Sequence, residues 1–233
     1  LLSGVAGQVS LGHAFFMGVG ASTAVLVGGA STSRLWGWGL PMWIWLPAAG
    51  LVAAAVGVLV APAAVRVRGL YLGIATIGLV FIGIHLSRVF PEIAGPPQLG
   101  RKWPRLELRF WKEETPFVDF SRKGHWLWFD IGNNQKTYLL LLVILLVLSL
   151  VAANLARSRT GRSWAAIRDR DVAAEIMGVP EFRAKTTAFA ISSFYARVAG
   201  ALFASLSGYM YPEAWNLLLS VEMIAILLIG GMG

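Results

Sequence analysis

Six polar side chains interrupt otherwise apolar stretches of this chain, and their types limit the chemistry open to it. Gln8, Ser10 and His13 fall in a Gly-rich run near the start. Glycine lets backbones approach closely and lets a helix unwind locally. An amide and a hydroxyl placed there can hydrogen-bond a zwitterionic solute, so Gln8 and Ser10 are candidate substrate-path groups. His13 joins them, against the plainer reading of a packing histidine bonded to a neighbouring carbonyl. Thr76 and Glu222 complete the candidate path. Their plainer roles are a hydroxyl bonded back to its own helix and a carboxylate favouring a helix N-terminus. Arg197 stands within an apolar run, where a charge costs roughly 3 kcal/mol or more unless it is paired or snorkels. Glu222 is its candidate partner; the alternative is an aqueous pathway lined by Arg197.

Several chemistries are excluded or not expected. Cysteine is absent, which removes disulfides, thiolate metal sites and thiol catalysis. His13, His85 and His125 form no ligand cluster, so no metal is expected. No GxxxxGK[ST] phosphate loop occurs, so no nucleotide cofactor is expected on this chain. No nucleophile–base pair points to an enzyme. A secondary transporter or channel stays open as an alternative reading, although it usually carries coupled ionisable groups or a filter motif and no carboxylate pair appears here.

The elements that must position these groups are membrane spans. The composition is 57% hydrophobic and 14% charged, with mean hydropathy +0.66. A spanning helix needs roughly 20 mostly apolar residues. Windows of that kind run over Pro41–Ala64, Leu70–Phe90, Thr137–Ala156, Thr186–Gly208 and from Leu217 to the C-terminus. Val5–Ala30, rich in Gly, Ser and Thr, is counted as another. The expected fold class is all-α, a polytopic transmembrane helix bundle of about six spans forming one domain over residues 1–233. The chain starts at Leu1 in an apolar context and ends on Gly230-Gly231-Met232-Gly233, so further helices are expected beyond one or both ends. The net charge of +8 reads as basic loops beside anionic lipid headgroups, not as nucleic-acid binding.

Two loops carry most of the charge. The external loop 91–136 is expected to have little helix in its first half because of Pro91, Pro96, Pro97 and Pro104. Its Leu106–Phe110 stretch alternates with period two, which predicts a short strand or hairpin. Lys and Arg are nearly balanced across the two sides, but those of 65–69 and 157–185 crowd the helix ends, which places these loops in the cytoplasm. Trp36, Trp38, Trp43 and Trp45 then mark the outer interfacial belt.

Within 157–185, Gly161 is expected to break the descending helix, Asp169 to cap a new one, and Asp171 to sit in its first turn. The helix spans Arg170–Met177, with Gly178 as its stop and Pro180 opening the next. Val172, Ile176 and Val179 give it one apolar face. Two turns are too short to be stable alone, so this helix must pack on its own bundle or on a partner. Small residues recur at Ser192, Ala196, Gly200, Ala204 and Gly208, and at Gly20, Ala24 and Gly28. Such stripes let helices approach closely, within the chain or against a second membrane subunit.

Four blocks in order carry a resemblance. They are Gly4-Val-Ala-Gly-Gln8-Val-Ser10-Leu-Gly-His13-Ala-Phe-Phe-Met-Gly18, Arg66-Val-Arg68-Gly69-Leu-Tyr71 through Gly78, Ser158-Arg-Thr-Gly161-Arg-Ser-Trp164 through Gly178, and Ser220-Val-Glu222 with Ile229–Gly233. Together they resemble the permease subunits of branched-chain amino-acid ABC importers, over nearly the whole chain except 91–136. The resemblance implies a multi-pass permease of the cell (inner) membrane. It would work with a second permease subunit, two cytoplasmic ATPase subunits that bind the ATP, and an extracytoplasmic substrate-binding protein. It makes Arg168, Asp169, Ala173, Ala174, Glu175, Met177 and Gly178 the ATPase-coupling residues. Relatives carry branched-chain amino acids, urea or short amides. Two departures stand out. Ala94–Lys102 replaces the family's Gly-rich stretch with an Asp, and Arg197 stands where a small or neutral residue is usual.

Overall fold

Apolar length and glycine content decide where the helices run. The computed structural model describes residues 2–230 apart from 9, 33–34, 68–69, 97–99, 105–106, 109–117, 120–123, 127–128 and 132. In chain order the helices are α1 (His13–Gly28), α2 (Met42–Arg66), α3 (Leu70–Val89), α4 (Pro91–Ala94), α5 (Asn133–Arg157), α6 (Arg159–Asp169), α7 (Asp171–Ile176), α8 (Glu181–Ser207) and α9 (Leu217–Gly230). Five are long and apolar enough to cross a membrane: α2, α3, α5, α8, and α9 together with the 3-10 turn Pro212–Ala214 before it. The shorter α1 is the sixth apolar helix. The chain is therefore a polytopic helical bundle, as its hydropathy predicts.

The expected span Val5–Ala30 is trimmed at its start. At about 1.5 Å per residue α1 reaches about 24 Å, short of the roughly 30 Å hydrocarbon layer. The preceding residues form turns, with Gly7 at φ +64°. Leu2, Ala6, Gln8 and Ser10 in this stretch are nevertheless buried. Irregular backbone at membrane depth is tolerated only under such cover.

Helices α1, α2 and α8 form the tightly packed centre. A Cβ on Gly20 would sit 1.9 Å from Cγ of Arg197, and one on Gly200 would sit 2.6 Å from the Met17 carbonyl oxygen. The small-residue stripes thus bring α1 against α8 within the chain. Gly208 departs from that role: it closes α8 in the left-handed conformation, φ +72°. Trp36, Trp38 and Trp43 are exposed, as a belt requires, but Trp45 is not. It lies beneath Gly28 and packs edge-to-face on Trp103, ring centroids 6.1 Å apart.

Short strands occupy the 91–136 loop. β1 (Arg101–Lys102) pairs antiparallel with β6 (Tyr209–Met210), β2 (Glu107–Leu108) with β3 (Val118–Asp119), and β4 (Gly124–Trp126) with β5 (Phe129–Ile131). The expected strand at Leu106–Phe110 is present over 107–108; its other residues lie outside the described ones. Pro91 opens the one-turn α4, where its missing N–H is no loss. Arg101 is buried and clips the loop shut. Its guanidinium donates to the carbonyls of Glu92, Ile93 (2.8 Å) and Trp36. That burial lowers its pKa below the usual arginine range.

Helix α5 differs from the rest. Its apolar window is the most hydrophobic in the chain, yet none of that window is buried. The Tyr195 hydroxyl, donating to the Leu148 carbonyl at 3.0 Å, ties it to α8.

Candidate functional site

The break before α1 gathers most of the sequence-predicted path residues. A helix start leaves backbone N–H groups without helical partners. Here side chains from three places meet them. Ser10 Oγ accepts from Gly12 N (3.3 Å), Thr76 Oγ1 of α3 from Leu11 N (2.9 Å), and Ser220 Oγ of α9 from Ala14 N (3.0 Å). Thr76 also donates to the Gly73 carbonyl, the back-bond expected of it. Ser220 was not among the residues singled out for the path. It lies two positions from Glu222, and the more polar carboxylate drew the assignment. Glu222 itself is exposed on α9.

Gln8 is 7% exposed, and neither atom of its side-chain amide has a hydrogen-bond partner among the described residues. An unpaired buried amide is costly. His13 Nδ1 lies 3.1 Å from the Ser10 carbonyl oxygen. A carbonyl only accepts, so Nδ1 carries the proton and in the neutral ring Nε2 is the acceptor. The plainer reading of His13 holds for one ring nitrogen. Its other side lines a cleft of about 780 Å³ between α5 and α8.

The expected Arg197–Glu222 pair does not form. Arg197 is fully buried, whereas Glu222 is exposed. The guanidinium donates to the carbonyls of Phe16 (Nε, 3.4 Å) and Ala49 (Nη1, 3.1 Å), and Nη2 has no partner among the described residues. Backbone carbonyls of α1 and α2 thus take the place of the carboxylate, and Arg197 joins the three central helices.

The 157–185 loop folds into two helices, not one. Ser158 turns the chain after α5, its Oγ accepting from Gly161 N at 3.4 Å. Gly161 therefore does not break a helix. It lies inside α6, where a Cβ would stand 2.1 Å from the Ala156 carbonyl oxygen, so it allows the tight fold-back. Asp169 ends α6 and does not cap α7. Asp171 does occupy the first turn of α7, its Oδ1 accepting from Val172 N at 2.9 Å. Gly178, at φ +86°, terminates that helix as expected.

Burial divides the coupling candidates. Trp164 and Ile167 of α6 are buried with Leu2, Ala6, Ala61, Leu72 and Phe189, and Trp164 Nε1 donates to Thr187 Oγ1 at 3.2 Å. Arg168 donates to the Gly4 carbonyl, and its stem fills the space beside Gly7. Its ion pair with Asp169, at 4.0 Å, is open to solvent and contributes little. In α7, Ala174 alone is buried; Ala173, Glu175 and Met177 are exposed. The predicted apolar face is split: Val179 packs inward, while Val172 and Ile176 are 59% and 82% exposed.

Comparison with known proteins bears on this arrangement. The family model described as branched-chain amino acid transport system / permease component matches residues 1–233. The chain is 36% identical over 239 residues to the high-affinity branched-chain amino acid transport system permease protein LivM of Escherichia coli (strain K12). It is 35% identical over the same length to the protein of that description in Salmonella typhimurium (strain LT2). Each alignment covers 99% of this chain and 54% of the relative, so the chain spans about half the length of these curated relatives. No solved structure matches it.

Proposed function

The chain belongs to the branched-chain amino-acid permease family, and from that premise we propose that it is a transmembrane subunit of an ATP-driven importer of branched-chain amino acids. The subunit sits in the cell (inner) membrane with 157–185 on the cytoplasmic side. It pairs with a second permease subunit. An extracytoplasmic binding protein delivers the solute, and two cytoplasmic ATPase subunits bind and hydrolyse ATP.

The observation that carries this reading is the exposed apolar face of α7. Val172, Ile176 and Met177 stand in the open on a helix held in place by a packed neighbour. Exposed apolar groups ringed by charge mark interaction sites. An ATPase subunit seated on this face covers them. Its movements reach the bundle through Arg168, which touches both Gly4 and Gly7 at the break before α1.

The test is reconstitution in liposomes. The permease pair with ATPases and binding protein is expected to concentrate leucine only when ATP is supplied. Concentrative leucine uptake by the permease alone, driven by a proton or sodium gradient, overturns the reading.

A further inference from the structure

We propose that the cleft between α5 and α8 is a transit subsite for an aliphatic α-amino acid, with His13 and Ser192 holding its charged head. The inference rests on the importer reading and says where in this chain the solute passes.

The cleft volume, about 780 Å³, lies within the roughly 300–1,000 Å³ typical of ligand sites. Along α5 it extends from Tyr138 to Ala152, about 21 Å at 1.5 Å per residue. Its walls are aliphatic, from Leu141, Leu145 and Leu148 on one side to Ala196 and Leu202 on the other. Such walls take a branched hydrocarbon side chain and reject a hydrated one.

His13, Ser149 and Ser192, from three helices, interrupt these walls, together with Tyr138 and with Tyr195, whose hydroxyl is committed to the Leu148 carbonyl. Ser22, Ser87 and Ser207 bond back to a carbonyl of their own turn, whereas the buried hydroxyls of Ser193 and Ser205 in α8 have no partner among the described residues and do not line the cleft. Ser192 has no hydrogen-bond partner among the described residues, and Ser149 is exposed along the cleft. Ser192 is 8% exposed, so water does little to compensate it, and what opening it has is toward the cleft. His13 has committed Nδ1 to Ser10, which leaves Nε2 as an acceptor. One acceptor and two hydroxyl donors match the two ends of a zwitterion. Nε2 accepts from the α-ammonium, and the hydroxyls donate to the carboxylate. A lipid acyl chain fills the same walls but satisfies none of these groups.

The probe is a diazirine analogue of leucine, photolysed with the full-length permease assembled with its partners in proteoliposomes. Label is expected on peptides of α5 and α8, with excess leucine removing it. A parallel sample carries phosphatidylcholine with a diazirine in its acyl chain. Capture of that lipid in these peptides, with no leucine-competed label, overturns the proposal. His13→Asn and Ser192→Ala are each expected to raise the KM for leucine uptake by about tenfold or more, the loss of one charge-assisted hydrogen bond. Unchanged KM values in correctly assembled variants also overturn it. The two readings fail separately. Absence of ATP-driven leucine uptake by the wild type defeats the importer reading. Normal uptake with no label in α5 or α8 defeats this inference alone.

Discussion

Helices α6 and α7 are neighbours in one loop, both short, both mixing apolar and charged residues, yet they turn their apolar sides in opposite directions. α6 buries Trp164 and Ile167 against the bundle. α7 buries only Ala174 and leaves Val172, Ile176 and Met177 in the open. Isolated helices of this length are marginal in water, so each depends on its packing. α6 gets it from its own chain. α7 is held by one alanine and by its ends, and its larger side chains await another surface. The difference separates what the loop needs to fold from what it offers.

Substitutions sharpen or break this contrast. Trp164→Ala is expected to have the largest effect, about 3–5 kcal/mol, from lost burial and a lost indole hydrogen bond. It should lower the Tm of the purified permease, and a wild-type Tm would break the contrast at its α6 end. Ala174→Lys comes next, at about 1–3 kcal/mol, because it forces a long side chain into a filled site. Limited proteolysis of the loop should quicken, so any loss of coupling in this variant reports damage to the loop as well as to the interface. Ile176→Asp should change stability by no more than about 0.5 kcal/mol, as exposed substitutions do, and so leave the Tm close to wild type. In the same variant, ATPase binding should weaken by at least about tenfold, or 1.4 kcal/mol, measured by co-purification at graded ATPase concentration. A drop in Tm there would show that the face packs on its own chain. Glu175→Lys should have the smallest effect, a modest weakening of association that changes with salt, since a rim charge acts mainly on encounter. A salt-independent effect would place Glu175 at the centre of the interface.

The spans were legible because apolar length is a coarse signal that one sequence carries. The uncharged run Tyr138–Leu150 could hardly be anything else. The late start of α1 was half visible: glycine content announced close approach, but not that Gly7 would take positive φ and leave residues 2–12 out of the helix. The face of α7 was misjudged for a physical reason. Helical spacing groups Val172, Ile176 and Val179, but the helix ends at Ile176, so Val179 turns inward while the other two stay exposed. Arg197 shows a similar limit. A carboxylate on the adjacent helix looks like a partner, whereas the carbonyls of Phe16 and Ala49, which take its hydrogen bonds, exist at every residue and leave no mark in the sequence. Ser220 was missed likewise, since capping a distant helix start depends on the fold that brings α9 to it. Of the candidate path, Ser10, Thr76 and His13 meet near the start of α1, and Glu222 stays outside.

The contact of Arg168 with Gly4 and Gly7 has a consequence for heredity. Residues 164 positions apart in the chain share one small space. A side chain gained at Gly7 strikes the Arg168 stem, so a mutation at either site alters what the other tolerates. A selection for restored growth in a strain carrying Gly7→Ala should return second-site changes that shorten residue 168, which remove the clash with its stem and leave the backbone strain of an alanine at φ +64°.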